Sequence, residues 1–300
     1  EIVCLTYGYN GESSPAARVQ FNKAGIYAQD DWQVTDKLKV TYGIRFDGLF
    51  FNNSDLMTNQ AIYNLDYSGR HIDTGKWPSS NLIISPRVGF TYDVFGDKTL
   101  KVRGGSGLFS GRLPLVFFTN MPTNGGMVQY QAQINAASAQ KNKFSMNEFA
   151  GGLVTDANGK ATTAALYDKL VSLGYPSTVK PEDGTIPSSI SAVDPNFKMP
   201  QVWKTSLAVD YIIPVSFPLS VTVEGIFNKT INGVCMSDWS IPSVGGFARF
   251  NGVDNRPIFP SGFRTGTKAF MLENTSKGYG WSGNITLNAQ PTDWLSLMAA

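Results

Sequence analysis

Apolar and polar residues alternate with period two along several segments of about ten residues. In 38–48, Leu38, Val40, Tyr42, Ile44 and Phe46 share one face, and Lys39, Thr41, Gly43, Arg45 and Asp47 share the other. Successive side chains of a strand point to opposite faces, so this pattern predicts a strand with one apolar and one wet side. Residues 82–94, 99–110, 201–213, 218–229 and 279–290 repeat it, and 22–34 repeats it more weakly. The wet face of 279–290 is Gly280, Ser282, Asn284, Thr286, Asn288 and Gln290, which are not core residues. A strand tilted across a bilayer needs about 9–11 residues, and strands of soluble sheets are commonly about 5–6.

The connections alternate in length. Thr35-Asp36-Lys37, Gly96-Asp97-Lys98, Pro214-Val215-Ser216 and Pro291-Thr292-Asp293 predict tight turns. Residues near 53–81, 112–200 and 235–262 predict long loops. Compact soluble domains rarely carry unstructured loops beyond about 15 residues, whereas outer-membrane barrels join short periplasmic turns to long extracellular loops. The expected fold is all-β, an antiparallel transmembrane β-barrel segment of about eight or nine strands with long extracellular loops. Trp32, Tyr92, Phe95, Tyr211, Phe217 and Trp294 gather near the tight turns, where an interfacial aromatic girdle belongs. Within the largest loop, Ala165, Leu166, Leu170 and Leu173 have helical spacing, and Gly174 and Pro176 end a helix expected near 161–173.

Composition supports this reading. Of 300 residues, 16% are charged, 12% are aromatic and 30 are glycine, against about 25% charged in ordinary soluble domains. A soluble Gly-rich all-β domain, carbohydrate-binding or hydrolytic, shares that composition, but its wet faces should gather carboxylates around an aromatic cleft. The net charge of +2 gives no field that would favour nucleic acid. No apolar run is long enough for a transmembrane helix. Both ends read as cut: Glu1 opens in polar sequence, and Ala300 falls where a strand should continue. All of 1–300 is therefore expected to belong to one barrel domain, with no plug domain.

Candidate chemistry is sparse. His71 is the sole histidine and sits in a polar loop without cysteine or carboxylate neighbours at ligand spacing. Cys4 and Cys235 do not make a disulfide framework, and the sequence does not bring them within reach. Arg103-Gly104-Gly105-Ser106-Gly107 is glycine-rich but lies in a strand and lacks a phosphate-loop ending, so it reads as barrel curvature or as room for something packed inside. No enzyme, metal or cofactor is expected. Arg45, Asp47, Arg87, Asp93, Lys101, Arg103 and Glu224 fall on wet faces. They are expected to pair across strands or to contact a plug or solute in the lumen.

Gly25-Ile26-Tyr27-Ala28-Gln29-Asp30-Asp31-Trp32, with Thr41-Tyr42-Gly43-Ile44-Arg45-Phe46-Asp47, resembles the barrel hairpin of TonB-dependent outer-membrane receptors. Ser85-Pro86-Arg87-Val88-Gly89-Phe90 and the glycine run at 104–107 are similar to the same family. Asp194 to Trp203, and Asn274 to Ala300, resemble its Oar-like branch of Bacteroidetes-type bacteria. The resemblance implies an outer-membrane barrel of 22 strands, an N-terminal plug and an inner-membrane TonB-type energy coupler. It implies energised uptake of an unidentified solute bound at the extracellular loops, with outer-membrane lipid around the wall and a surface lipoprotein as a further candidate partner. A barrel that only anchors its loops for adhesion or assembly remains the alternative at this point.

Overall fold

A computed structural model describes residues 3–12, 15–137, 139, 145, 147–149, 154–242 and 244–300. Eight strands make the wall: β2 (Gln20–Gln33), β3 (Leu38–Asn52), β4 (Asn81–Asp93), β5 (Leu100–Ser110), β8 (Gln201–Ile212), β9 (Leu219–Asp238), β11 (Tyr279–Thr292) and β12 (Leu295–Ala299). They lie side by side in that order, each antiparallel to its neighbours. The loops contribute β1 (Val3–Gly8), β6 (Gln129–Ile134), β7 (Ser189–Val193) and β10 (Lys268–Thr275). They also contribute helices α1 (Gln60–Tyr63), α2 (Val116–Asn124) and α3 (Thr163–Ser172).

The strand register carries the alternation across the whole sheet. Leu38 pairs with Tyr92, then Val102, Val209, Val223 and Ile285 follow on successive strands. One row nearer the tight turns, Leu100, Tyr211, Val221 and Leu287 are aligned. A one-residue slip would send each of these residues to the opposite face, so the two-faced pattern fixes the register. The apolar face stays open to the surroundings, with Ile26 71% and Trp281 80% exposed. A soluble sheet would bury such a face. Lipid is the environment in which it costs nothing to leave it uncovered.

The tight turns are held by local side chains. Thr35 Oγ1 accepts from the Leu38 amide at 3.1 Å. The Asp93 carboxylate accepts from the amides of Gly96 and Lys98, both at 2.9 Å. That grip holds the left-handed turn at Gly96 (φ +85) and Lys98 (φ +68). β11 runs through Thr292, so its turn to β12 is shorter than the proline alone suggests.

The long loops fold into a cap with its own cores, and the packing of the molecule is concentrated there. β9 continues beyond the wall to Asp238, three residues past the expected start of its loop, and its outer end pairs with β10. β10 in turn lies parallel to β7. Phe118 of α2 meets Trp77 at 6.0 Å and Phe197 at 5.7 Å between ring centroids, and Ile190, Met271 and Leu272 fill in around them. Phe118 also meets Phe51 at 5.4 Å, and Phe51 meets Phe21 at 6.0 Å. Phe21 and Phe51 are lumen-facing ends of β2 and β3, so the cap is seated on the wet side of the wall. A second cluster joins β1, β6 and α3 through Tyr7, Ile134 and Leu170. α3 occupies the expected helical segment, with Thr162 as its N-cap and Gly174 at φ +87 after its end.

One buried side chain ties the cap together. Asn59 is fully buried, accepts from the Ile62 amide at 3.2 Å, and donates to the Gly125 and Thr185 carbonyls at 3.0 and 2.9 Å. Asn59→Ala strands these groups and is expected to destabilise the cap by about 2 kcal/mol. Hydrogen exchange at 60–64, 125 and 185 in the detergent-solubilised full-length protein should speed up while the wall amides stay protected.

Candidate functional site

The wet face of the wall gathers the charges that the sequence places there. Its rows run across the strands as Gln33, Lys39, Thr91, Arg103, Ala208, Glu224 and Asn284, with Asp93, Lys101, Asp210 and Thr222 in the row toward the turns. Arg103 bonds Asp210 at 2.9 Å and approaches Glu224 at 3.7 Å. Asp210 also accepts from Thr222 Oγ1 at 2.8 Å, and Lys101 stands directly opposite it. Lys39 pairs with Asp31 at 3.1 Å. Cross-strand pairing thus accounts for Arg103 and Glu224, Lys101 lies in register between Asp93 and Asp210, and Asp93 is occupied by its turn.

Nearer the cap the balance changes. Arg45 grips Asp47 with two bonds of 2.7 and 2.8 Å, and Lys23 reaches the same carboxylate at 3.6 Å. Arg87 forms no ion pair among the described residues, and its guanidinium rests over the Phe109 ring at 5.6 Å. Arg45 likewise lies over Tyr27 at 5.9 Å. Lys204 aligns with Arg87 across Gly107. A cavity of about 110 Å³ beneath the cap is lined by Lys23, Asp47, Leu49, Arg112, Leu115 and Met199. A notch of about 160 Å³ is lined by Tyr27, Gln29, Gly43, Arg45 and Arg87. The Asp47–Arg45 pair links the two.

The apolar face carries aromatics at two levels. Trp32, Tyr92 and Tyr211 lie near the tight turns, with Phe95, Phe217 and Trp294 in or beside the turns. Trp203, Phe227, Tyr279 and Trp281 form a second level that the sequence reading missed. Trp203 lies eight residues from Tyr211 along β8. That is about 26 Å of strand at ~3.3 Å per residue, or about 20 Å across a bilayer for a tilt near 40°. An apolar band of about 25 Å between aromatic girdles is what a barrel wall needs. The second level was visible as Trp203 and Trp281 at apolar-face positions, but only the register shows that they are neighbours.

A family model described as an outer membrane beta barrel domain matches residues 5–278. The chain belongs to that family. No curated protein matches it. Among solved structures, the chain is similar to the siderophore receptor PirA from Pseudomonas aeruginosa, at TM-score 0.42 and 12% identity, over 93% of this chain and 33% of that one. It is similar to a double mutant of the Serratia marcescens hemophore receptor HasR in complex with its hemophore HasA and heme, at TM-score 0.41 and 9% identity, over 90% of this chain and 31% of that one. It is also similar to a mutant of the ferric enterobactin receptor PfeA from Pseudomonas aeruginosa, at TM-score 0.39 and 9% identity, over 93% of this chain and 35% of that one. The chain spans about a third of the length of each.

For a wall of this family the remaining candidates have plain places. His71 stacks on Tyr63 at 5.7 Å, and its Nδ1 lies 3.0 Å from the carbonyls of Tyr63 and Leu65. Cys4 and Cys235 are both free. Among the described residues no group of three or more His, Cys, Asp or Glu side chains could hold a metal ion, and no helix is long and apolar enough to cross a membrane, which says nothing of strands. The glycines of β5 make close contact with their neighbours: a Cβ at Gly107 would meet the Pro86 carbonyl at 3.0 Å and the Arg87 Cβ at 2.9 Å.

At the outer end of β9, a polar knot anchors the loop 239–267. Arg264 bonds both Asp238 and Ser240, and the Trp239 indole donates to Glu273 at 2.7 Å. Arg70 covers the Trp239 ring at 4.1 Å. Burial pushes the Asp238 carboxyl up, but hydrogen bonds from Arg264, Ser240 and the Ala269 amide outweigh it and leave Asp238 below its ordinary 3.8. A depressed carboxylate stabilises the fold above its unfolded value and loses that contribution as pH falls through its folded value. The loop should therefore resist limited proteolysis from pH 8 to pH 5 and begin to open only as pH falls below about 4. Asp238→Asn should show the open cleavage pattern already at pH 7.

Proposed function

We propose that this chain forms part of the wall and the outer cap of a TonB-dependent receptor that binds a solute and passes it through a plugged lumen. The observation that carries this reading is the cap: long connections folded into cores and seated on a wet, charge-bearing lumen face. A barrel that served only as an anchor has no need to hold folded loops over its own lumen. The stretches Asp194 to Trp203 and Asn274 to Ala300 favour the Oar-like branch. In this reading the tight turns face the periplasm, the cap faces outward, and residues 112–200 are its largest loop. Arg45, Asp47, Arg87, Asp93, Lys101, Arg103 and Glu224 line the path along which a plug or solute travels. The outer edges of β2 and β12 would be closed by the further strands that a complete barrel requires, since no sheet edge survives in hydrocarbon. No catalytic step is part of the mechanism.

Two measurements test it. Val253, at the tip of the loop 239–267, and Asp36, in a tight turn, are each replaced by cysteine in a full-length protein lacking Cys4 and Cys235. In intact cells a membrane-impermeant maleimide should label Val253→Cys, and should label Asp36→Cys only after the outer membrane is opened. The reverse pattern overturns the orientation. The periplasmic domain of the inner-membrane energy coupler should capture the full-length protein from detergent extracts. Absence of capture overturns energised uptake and leaves the anchoring role.

A further inference from the structure

The cap holds a cavity of about 270 Å³, built by the turn after β1, the first long loop and the end of α2. Its floor is apolar and buried or half-buried, from Tyr9, Leu56, Met57, Pro122 and Met127. Its rim is exposed and polar, with Asn10, Glu12, Arg18, Ser54 and Asp55. Sites for drug-sized ligands run to roughly 300–1,000 Å³, so this one suits a smaller molecule or the end of a longer one.

The walls are held before anything binds. The Tyr9 amide donates to the Val128 carbonyl at 3.3 Å, and the Asn10 amide to the Ser177 carbonyl at 2.9 Å. Buried Asn59 fixes two more lining residues: its side chain donates to the Gly125 carbonyl at 3.0 Å, and its backbone amide to Thr74 Oγ1 at 3.1 Å. A preformed site loses little freedom when a ligand enters. Tyr9 and Met127 pack together with Val179 and Met57. Two methionines in the floor let it adapt to apolar groups of different shape, because the thioether chain is unbranched and flexible. The rim charges do not balance. Arg18 bonds Glu12 at 3.2 Å, whereas Asp55 has no ion pair among the described residues and accepts only from the Gln20 amide at 2.8 Å. Two carboxylates against one guanidinium disfavour an anion. A sugar ring would need an open aromatic face, and Tyr9, the one aromatic lining residue, is 8% exposed.

We propose that this cavity binds the amino-terminal end of a short peptide, with the α-ammonium group at Asp55 and an aliphatic side chain on the methionine floor. A carboxylate beside an adaptable apolar floor matches a cation carried next to an apolar group, and an ammonium–carboxylate hydrogen bond is of the stronger, charge-assisted kind. Asn10 and Ser54 add neutral hydrogen-bonding groups on the rim for the peptide's own amides. The floor sets a preference for apolar side chains without fixing one sequence.

This site rests on the receptor reading for its purpose but not for its existence. Calorimetric titration of the full-length protein in detergent, at low ionic strength, tests it with leucyl-leucine amide as the probe. The probe is expected to bind with a dissociation constant at or below the millimolar range. Three comparison compounds should each bind at least tenfold more weakly: its N-acetyl form, which lacks the charge, glycyl-glycine amide, which lacks the side chains, and hexylamine, which lacks the peptide groups. Asp55→Asn keeps an acceptor for Gln20 and should lower affinity for the probe to that of the N-acetyl form, whose own binding should not change. Asp254→Asn removes an exposed carboxylate of the loop 239–267, outside the cavity, and should leave affinity unchanged. No binding of the probe, equal binding of any comparison compound, unchanged affinity in Asp55→Asn, or an equal loss in Asp254→Asn would overturn the site. Because binding is read without energisation, a protein that binds the probe but is not captured by the energy coupler loses the receptor reading and keeps the site. One that is captured but does not bind the probe does the opposite.

Discussion

Phe118→Ala is expected to unseat the cap from the wall. Phe118 is fully buried and packs on Phe51, Trp77 and Phe197, rings contributed by β3, by the first long loop and by the segment before β8. Truncating a buried phenylalanine costs about 3–5 kcal/mol in lost transfer energy and in the cavity left behind. Here the loss falls where three loops meet, so it is not spread over a large core. The wall does not depend on that core, because its strands are joined by backbone ladders and tight turns. The variant should therefore still insert and remain barrel-like, with unchanged heat-modifiable migration on gels. Its loops, near 53–80, 111–200 and 239–267, should be cut by protease at concentrations that leave the parent intact. Simultaneous loss of the wall would show that cap and wall fold as one unit.

Leu207→Arg is expected to be the most damaging change on the outer face. Leu207 is 54% exposed on the apolar face, four residues from Tyr211 and four from Trp203, midway between the two aromatic levels. An arginine near the bilayer midplane of a barrel costs about 2–4 kcal/mol, falling toward zero at the interfaces. Asn284→Arg is the matched control. Asn284 faces the lumen, aligned with Glu224, where a cation finds water and a counter-charge. Urea titrations of folding into vesicles should show a clear loss for Leu207→Arg and little change for Asn284→Arg. Equal tolerance of both would mean that the apolar face does not touch lipid, and the membrane assignment would fall with it.

The contrast between these variants also separates what was legible in the sequence from what was not. The wall was readable residue by residue. Side chains alternate along a strand, so 38–48 and 279–290 displayed their two faces without any partner being known. The tight turns announced themselves through Thr35, Gly96 and Pro214, and α3 through the spacing of Leu166, Leu170 and Leu173. Pairing for Arg103 was foreseeable in kind. Its partner was not, because Asp210 lies 107 residues away across the largest loop.

The sequence by itself determined a two-faced, lipid-compatible antiparallel wall and the rhythm of its connections, because those follow from period-two geometry and from turn chemistry within a few residues. Only the tertiary structure decided that the loops are a packed cap. Phe118, Asn59 and Trp239 lie in stretches with no period, and what buries them comes from far along the chain. Tertiary structure also decided the chemistry of the lumen. Gly43, Arg45 and Arg87 line one notch only once β3 and β4 are in register, and Lys23 and Arg112 line one cavity only once the cap closes over Asp47. Hydrogen-bonded register turns a scatter of isolated charges into a balanced lower half and an unbalanced upper one.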